Sequence, residues 1–286
     1  MTILVFGKTG QVATELQLLA DVVALGRDQA DLADPAACAA AILKHKPAVV
    51  INAAAYTAVD HAEEDEALAT VVNGEAPGAI ARACAELGVP FVHISTDYVF
   101  DGQGAAAFLP DTPTAPLGAY GRSKLVGEQA VTAAGGAYAI LRTSWVVSAH
   151  GNNFVKTMLR LGAERDSLTI VADQIGGPTG AKEIAQACLK IAQSLSKDSS
   201  LSGTYHFSGA PDVSWADFAR EIFAKSGLEC EVTDIPSSAY PTPAKRPLNS
   251  RLDCTSTLAA FDIKRPNWQD SLSTILTQLG NNQGQM

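Results

Sequence analysis

Three absences narrow what this sequence can be. Its five cysteines, Cys38, Cys84, Cys188, Cys230 and Cys254, are odd in number and far apart, with no Cys-x-x-Cys pair. That spacing suits reduced, buried thiols better than disulfides or zinc. Lys and Arg number 21 against 30 Asp and Glu, a net charge of −9. Such a balance argues against a nucleic-acid backbone or an anionic membrane as the main partner, because both call for clustered positive charge. No apolar run reaches the roughly 18 residues of a membrane span, and the opening M-T-I-L-V-F-G carries no basic leader. We expect a soluble, cytoplasmic chain. What remains is ordinary globular composition. Its 286 residues, 47% apolar and 18% charged, can bury a large core in one big domain or two.

Short apolar runs then alternate with helical stretches. Ile3 to Phe6 reads as a strand buried on both faces, and Gly7-Lys8-Thr9-Gly10-Gln11-Val12-Ala13 follows at once. Gly7 can make a turn other residues cannot, Gly10 lets backbone approach a ligand, and the helix after it points free N–H groups at a phosphate. With Ala13 as the third small position the pattern is G-x-x-G-x-x-A, which on its own also fits a plain strand-to-helix turn. Val22 to Leu25 is a second strand. Arg27, just past its end, suits the 2′-phosphate of NADP, whereas Asp28 and Asp31 suit a ribose hydroxyl of NAD. We expect NADPH, with NADH as the alternative. Asp34-Pro35 starts a helix that runs to His45. Ala48 to Ile51 is a third strand, ending in Asn52-Ala53-Ala54-Ala55-Tyr56-Thr57, where small side chains leave room for a flat ligand or for a packed helix. Glu63-Glu64-Asp65-Glu66 reads as a solvated helix start.

A fourth strand, Phe91 to Ile94, runs into Ser95-Thr96-Asp97-Tyr98. Polar side chains beyond a buried strand are costly unless used, and Thr96 is a candidate hydrogen-bond donor to a substrate oxygen. After a loop from Gly102 to Gly118 comes L-G-A-Y-G-R-S-K-L-V-G-E, residues 117 to 128. A helix there puts Tyr120 and Lys124 on one face, roughly 5–6 Å apart at Cβ. An ammonium beside a phenol lowers the phenol pKa and prepares a proton for a carbonyl, although an isolated Tyr-x-x-x-Lys pair also arises by accident on surface helices. Tyr138 to Trp145 is a fifth strand. Five alternations of strand and helix argue for an α/β fold, a doubly wound parallel sheet with right-handed crossovers.

The remainder is less regular. Helices are expected from Asn152-Asn153-Phe154 to near Gly162, from about Lys182 to Leu195 and from Ser214 to Ser226, with strands at Gly203 to Ser208 and Cys230 to Ile235. Pro236 to Arg251, with four prolines, reads as an extended loop. Its Lys245, Arg246 and Arg251 suit phosphate oxygens, or are plain surface basics. The tail from Gly280 to Met286 reads as frayed.

Taken together, Gly7-x-x-Gly10-Gln11-x-Ala13, Asn52-Ala-Ala-Ala-Tyr-Thr, Ser95-Thr-Asp-Tyr-Val-Phe-Asp-Gly, Tyr120-Gly-x-Ser-Lys124-x-x-Gly-Glu and Arg142-Thr-Ser-Trp145 resemble the extended short-chain dehydrogenase/reductases. More narrowly, they resemble the dTDP-4-dehydrorhamnose reductase family. We therefore expect a dinucleotide-binding Rossmann domain over 1–146, rejoined by 165–200, and a smaller α/β C-terminal substrate domain from 147–164 and 201–286. The resemblance implies that NADPH or NADH reduces the 4-keto group of dTDP-4-dehydro-L-rhamnose, with hydride to C4, to give dTDP-L-rhamnose. Tyr120 would protonate the forming alkoxide, Lys124 would lower the Tyr pKa and hold the cofactor ribose, and Thr96 would orient the carbonyl. Gly7, Gly10, Gln11, Val12, Arg27, Asp31, Leu32, Ala53, Ala54, Ala55, Tyr56 and Thr57 would line the cofactor. Thr96, Asp97, Tyr98 and Trp145 would contact the sugar, with Asn153 and Arg246 near the nucleotide. Some members dimerise through a carboxylate-bound magnesium. Glu15 is present here, but Lys182 and Gln278 hold the other positions, so a magnesium bridge is doubtful, no metal ligand is assigned, and a homodimer stays open. Two other readings remain. One is a related nucleotide-sugar reductase, epimerase or dehydratase, although Asp97-Tyr98 lacks the dehydratases' second carboxylate. The other is a non-catalytic NADP-binding regulatory subunit, against which the intact Tyr120 and Lys124 speak.

Overall fold

In the computed structural model, which describes residues 2–283, the apolar runs of the first half become one parallel sheet. Its strands include Ile3–Phe6 (β1), Val22–Leu25 (β2), Val49–Asn52 (β3), Phe91–Thr96 (β4) and Tyr138–Thr143 (β5). Of the later strands, Ser167–Val171 (β6) stays apart and Gly203–His206 (β7) joins beside β5, so the order is β7-β5-β4-β3-β1-β2 with every pair parallel. The helices are Gln11–Leu19 (α1), Pro35–His45 (α2), Glu66–Thr70 (α3), Ala76–Leu87 (α4), Ala119–Ala133 (α5), Phe154–Glu164 (α6), Ala181–Lys197 (α7), Trp215–Ser226 (α8), Thr255–Phe261 (α9) and Trp268–Gln283 (α10).

Successive side chains on a strand point to opposite faces, and here both faces are dry. Ile3 and Val5 enter one core with Val49, Ile51, Val92 and Leu141, covered by α1 and α7. Leu4 and Phe6 enter a second core with Val50, Phe91 and Ile140, covered by α2, α4 and α5. This is the doubly wound arrangement the strand pattern implies. Local signals hold as well. The Asp34 carboxylate accepts the Ala37 N–H at 3.0 Å, with Pro35 in the first turn of α2. Ser214 caps α8 in the same way, accepting the Asp217 N–H at 3.0 Å.

The second half differs from the expected division. β6 pairs in parallel with Glu231–Ile235 (β8) and belongs to a separate core of Val155, Met158, Leu168, Phe218, Ile222, Trp268 and Leu272. Within 165–200, then, only α7 packs on the main sheet, while β7, expected in the other part, is its edge strand. The burial patterns give the reason. In β6 Ser167 and Thr169 face water and Leu168 is buried, a one-sided strand that cannot serve between two helical layers. β4 extends to Thr96, and β5 stops at Thr143 because Trp145 turns the chain at φ +49°. Residues Pro236 to Arg251 include a helical turn, Ser237–Ala239, and a short strand, Asn249–Ser250. Helix α10 continues to Gln283, so residues 280–283 are helical rather than frayed, and 284–286 lie outside the described residues. Cys38, Cys84, Cys188 and Cys254 are buried and Cys230 half-buried, all five free. Among the described residues no helix is long and apolar enough to cross a membrane.

One buried ion pair ties α5 to the sheet. Glu128 accepts from Arg142 through both oxygens, at 2.9 and 2.6 Å, and from the Ser95 hydroxyl at 2.6 Å. Arg142 also donates to the Pro110 carbonyl at 3.0 Å. Because Glu128→Gln leaves the guanidinium buried without its counter-charge, the loss in urea unfolding should be about 3–5 kcal/mol. Arg220→Ala, which breaks exposed pairs with Asp217 and Asp234, should cost about 1 kcal/mol or less. Equal losses would show that burial of the Glu128 pair is not what matters.

Candidate active site

At the exit of β1 the chain needs a glycine. Gly7 has φ +106°, and a Cβ there would lie 3.3 Å from the Ala53 and Ala54 backbone. Gly10 then begins α1 with no side-chain cap, leaving first-turn N–H groups at the positive end of the helix dipole. A cleft of about 1100 Å³ opens here, along the carboxyl ends of β1, β3, β4 and β5. It lies where the strand order reverses between β1 and β3, the usual ligand position on open α/β sheets. Gly7, Gly10, Gln11 and Val12 line it, with Arg27, Asp31 and Leu32 beyond β2 and Ala53, Ala54, Ala55 and Thr57 beyond β3. The Arg27 side chain is 88% exposed, with only a loose 4.0 Å approach to Asp31. Tyr56 is not part of the lining. Asn73 grips its backbone N–H and carbonyl at 2.8 and 3.0 Å, and its side chain packs with Ala62, Ala69 and Ala119.

Tyr120 and Lys124 stand on α5, whose start depends on two acids that look solvated in the sequence. Glu63 accepts the Ala119 N–H at 2.8 Å, and Glu66 holds Arg122 through both oxygens at 2.7 and 2.8 Å. With Gly118 at its N-cap, α5 has no capping side chain of its own, and Glu63 supplies the missing acceptor. A π-helical turn, Val71–Glu75, carries Asn73 to the Ser123 hydroxyl at 3.0 Å. Gly127 faces that turn, and a Cβ there would collide with the Asn73 carbonyl. Nothing local in the sequence marks Asn73, because its partners lie 17 and 50 residues away.

Thr96, Asp97, Tyr98, Tyr120 and Lys124 all line the cleft at the end of β4, so the three residues expected to be catalytic are brought together. The Thr96 hydroxyl donates to Asp97 at 3.1 Å and accepts the Tyr98 N–H at 3.1 Å, and the Tyr98 and Tyr120 rings meet edge to face at 5.4 Å. Electrostatically the arrangement departs from the sequence-based expectation that Lys124 lowers the Tyr120 pKa. Burial pushes the phenol above its ordinary value, the Thr96 hydroxyl pulls back, and Asp97 and Tyr98 push further. Burial also brings the Lys124 ammonium down to about 8, against the pull of Glu128. Its Nζ turns to β4, donating to the Ile94 carbonyl at 2.8 Å and lying 3.2 Å from His93 Nε2. Asp97 is raised by burial to about 6, and its Oδ2 is buried without a partner.

Trp145 lines the cleft and stacks on Trp215, ring centroids 3.5 Å apart and planes 11° from parallel. Trp215 is a further residue that sequence reading passes over. Two expected nucleotide neighbours are not part of the lining but touch residues that are. Asn153 caps α6 through the Lys156 N–H at 3.3 Å and donates to Gln11 at 2.9 Å. Arg246 pairs with Asp60 at 2.6 Å and approaches the cleft through the Tyr98 hydroxyl, at 3.4 Å. Both are held by protein partners, which composition and spacing do not disclose.

Known proteins share this architecture. The family model described as RmlD substrate binding domain matches residues 1–281. A dTDP-4-dehydrorhamnose reductase of Sinorhizobium fredii is 44% identical over 289 residues, covering 98% of each chain. Among solved structures, a dTDP-4-dehydrorhamnose reductase of Clostridium acetobutylicum has a TM-score of 0.91 at 38% identity, over 98% of this chain and 100% of its own. One from Bacillus anthracis, in complex with NADP, has a TM-score of 0.90 at 33% identity, over 97% and 99%. With a family model over nearly every residue and relatives of this identity along their full length, the chain belongs to the RmlD substrate-binding family, that of the dTDP-4-dehydrorhamnose reductases.

Proposed function

We propose that this protein uses NADPH, or NADH, to reduce the 4-keto group of dTDP-4-dehydro-L-rhamnose, giving dTDP-L-rhamnose. The observation that carries the reading is the meeting of Thr96, Tyr120 and Lys124 at the end of β4, in the cleft that the Gly7 turn opens. The residues present suit a dinucleotide. A Cβ at Gly7 would crowd the Ala53 backbone, and the uncapped start of α1 offers N–H groups to a diphosphate. The NADP complex of the Bacillus anthracis relative supports the same class of cofactor. When bound, the nicotinamide supplies the hydride for C4 of the sugar.

In this reading Gly7, Gly10, Gln11 and Val12 hold the diphosphate, Arg27 takes the 2′-phosphate with Asp31 and Leu32 beside the ribose, and Ala53, Ala54, Ala55 and Thr57 flank the rings. Lys124 holds the ribose hydroxyls. The Thr96 hydroxyl donates to the keto oxygen, and Tyr120 gives its proton to the alkoxide that forms there. A phenol held above its ordinary pKa keeps that proton through the neutral range until a stronger base, the alkoxide, develops beside it. Asp97, Tyr98 and Trp145 contact the sugar. Arg246, beside Tyr98, is the candidate for the nucleotide phosphates, and Asn153 acts through Gln11 instead. The sheet with α1, α2, α4, α5 and α7 serves the cofactor, and the core around α6, α8 and α10 serves the sugar nucleotide. We read it as a cytoplasmic enzyme, and its net charge of −9 argues against a nucleic-acid backbone or an anionic membrane as partner.

The direct test is the oxidation of NADPH and NADH, followed spectrophotometrically, with dTDP-4-dehydro-L-rhamnose against other 4-ketosugar nucleotides. Failure to oxidise either cofactor with the dTDP sugar would refute the proposal. Tyr120→Phe should lower turnover about 10²–10⁴-fold with the NADPH Kd little changed, since only the proton donor is lost. Near-normal turnover in that variant would take Tyr120 out of the chemistry. Arg27→Ala should weaken NADPH binding and spare NADH. Loss of both to the same degree would assign the 2′-phosphate to another group.

A further inference from the structure

Asn52, His93 and Lys124, no more than 2% exposed, form a chain of polar contacts from β3 through β4 to α5. The Asn52 Oδ1 accepts the Ala54 N–H at 3.1 Å, which turns its amide nitrogen toward His93 Nδ1 at 3.2 Å. An amide nitrogen only donates, so Nδ1 accepts, and the single proton of the neutral imidazole sits on Nε2. Nε2 lies 3.2 Å from Lys124 Nζ. Facing an ammonium, that N–H is donor against donor. Facing an uncharged amine, it donates to the nitrogen lone pair, and the amine still gives a proton to the Ile94 carbonyl at 2.8 Å. A doubly protonated imidazole is no way out, because burial and Lys124 hold His93 well below the ordinary histidine range.

We propose that Asn52 and His93 are positioning residues that, by fixing which imidazole nitrogen carries the proton, favour the uncharged amine of Lys124, so that binding NADPH at alkaline pH draws in a proton. The inference rests on the assignment of Lys124 to the cofactor ribose, since a polyanion seated beside it favours the ammonium. The neighbouring charges do not undo the relay. Both Glu128 oxygens are taken up by Arg142 and Ser95, while Glu63 and Glu66, from segments packed on α5, hold Ala119 and Arg122. Asp97 and Tyr98, after β4, and Tyr120, on α5, line the cleft, and Tyr120 titrates above Lys124.

Linkage gives the sign. Lys124 has a lowered pKa, about 8, in the free protein and a higher one in the complex. NADPH affinity should therefore be flat below that pH and fall above it by about tenfold per pH unit. Quenching of tryptophan fluorescence by NADPH, measured across the neutral and alkaline range, reads the break without turnover. His93→Gln offers the ammonium an amide carbonyl. Asn52→Asp accepts from Nδ1–H and so frees Nε2 to accept. Each should move the break upward by about one pH unit, and either suffices if the other fails to fold. A break that stays put in the folded variants, or no break in the wild type, overturns the relay. Lys124→Met separates the two layers of argument. An unchanged Kd at every pH would dismiss the ribose assignment. Weaker binding with no break, alongside unmoved breaks in the other variants, would keep the assignment and dismiss the relay. A break that survives Lys124→Met belongs to another group and also overturns it.

Discussion

The carboxylate of Glu128, gripped by Arg142 through both oxygens and by the hydroxyl of Ser95, is a charge taken out of water between α5 and the sheet. Such a pair contributes little net stability over a well-packed apolar contact, but it tolerates only one arrangement, because any slip strands a buried charge. Tyr120 and Lys124 precede Glu128 at intervals of four along the same helix, so all three share a face. Orienting Glu128 therefore orients the other two toward β4. Glu63 and Glu66 secure the start of the helix, and the Asn73 turn meets it at Gly127.

Burial then acts on the two titratable groups in opposite senses, since in each it disfavours the charged form. The phenol of Tyr120 is held protonated, whereas the pKa of the Lys124 ammonium is brought down to about 8. Glu128 offsets this only in part for the amine, since Arg142 shares its charge, and it does not act on the phenol. The result is a proton held on the donor and a cation that depends on what is seated beside it. The glycine turn contributes separately, by letting β1 and β3 bring their backbones together where the sheet changes direction.

Much of this is legible in residue order. The run Ile3 to Phe6, the Asp34-Pro35 start, the Ser214 cap and the spacing of Tyr120 and Lys124 are local features, and short-range geometry fixes what they become. Features with distant partners are not legible. The acids at 63 and 66 look solvated because their partners are 56 residues away, and Arg246 looks free because Asp60 is 186 residues away. Trp215 declares itself only through its stack on Trp145. Residues 167–171, in a range expected to rejoin the main sheet, form β6 in the second core, while β7, expected with the substrate part, is the edge of the sheet, because pairing partners 60 or more residues away decide both.

Residue order alone thus dictates the strand and helix alternation, the glycine turn and the pairing of a phenol with an amine on one helical face, since each follows from periodicity over a few residues. It leaves open the protonation tendencies of that phenol and amine, which reverse the simple expectation that the lysine activates the tyrosine. Those are set by solvent exclusion, by Thr96, Asp97 and Tyr98 around the phenol, and by Glu128, His93 and Asn52 around the amine, groups that meet only when β3, β4 and α5 pack.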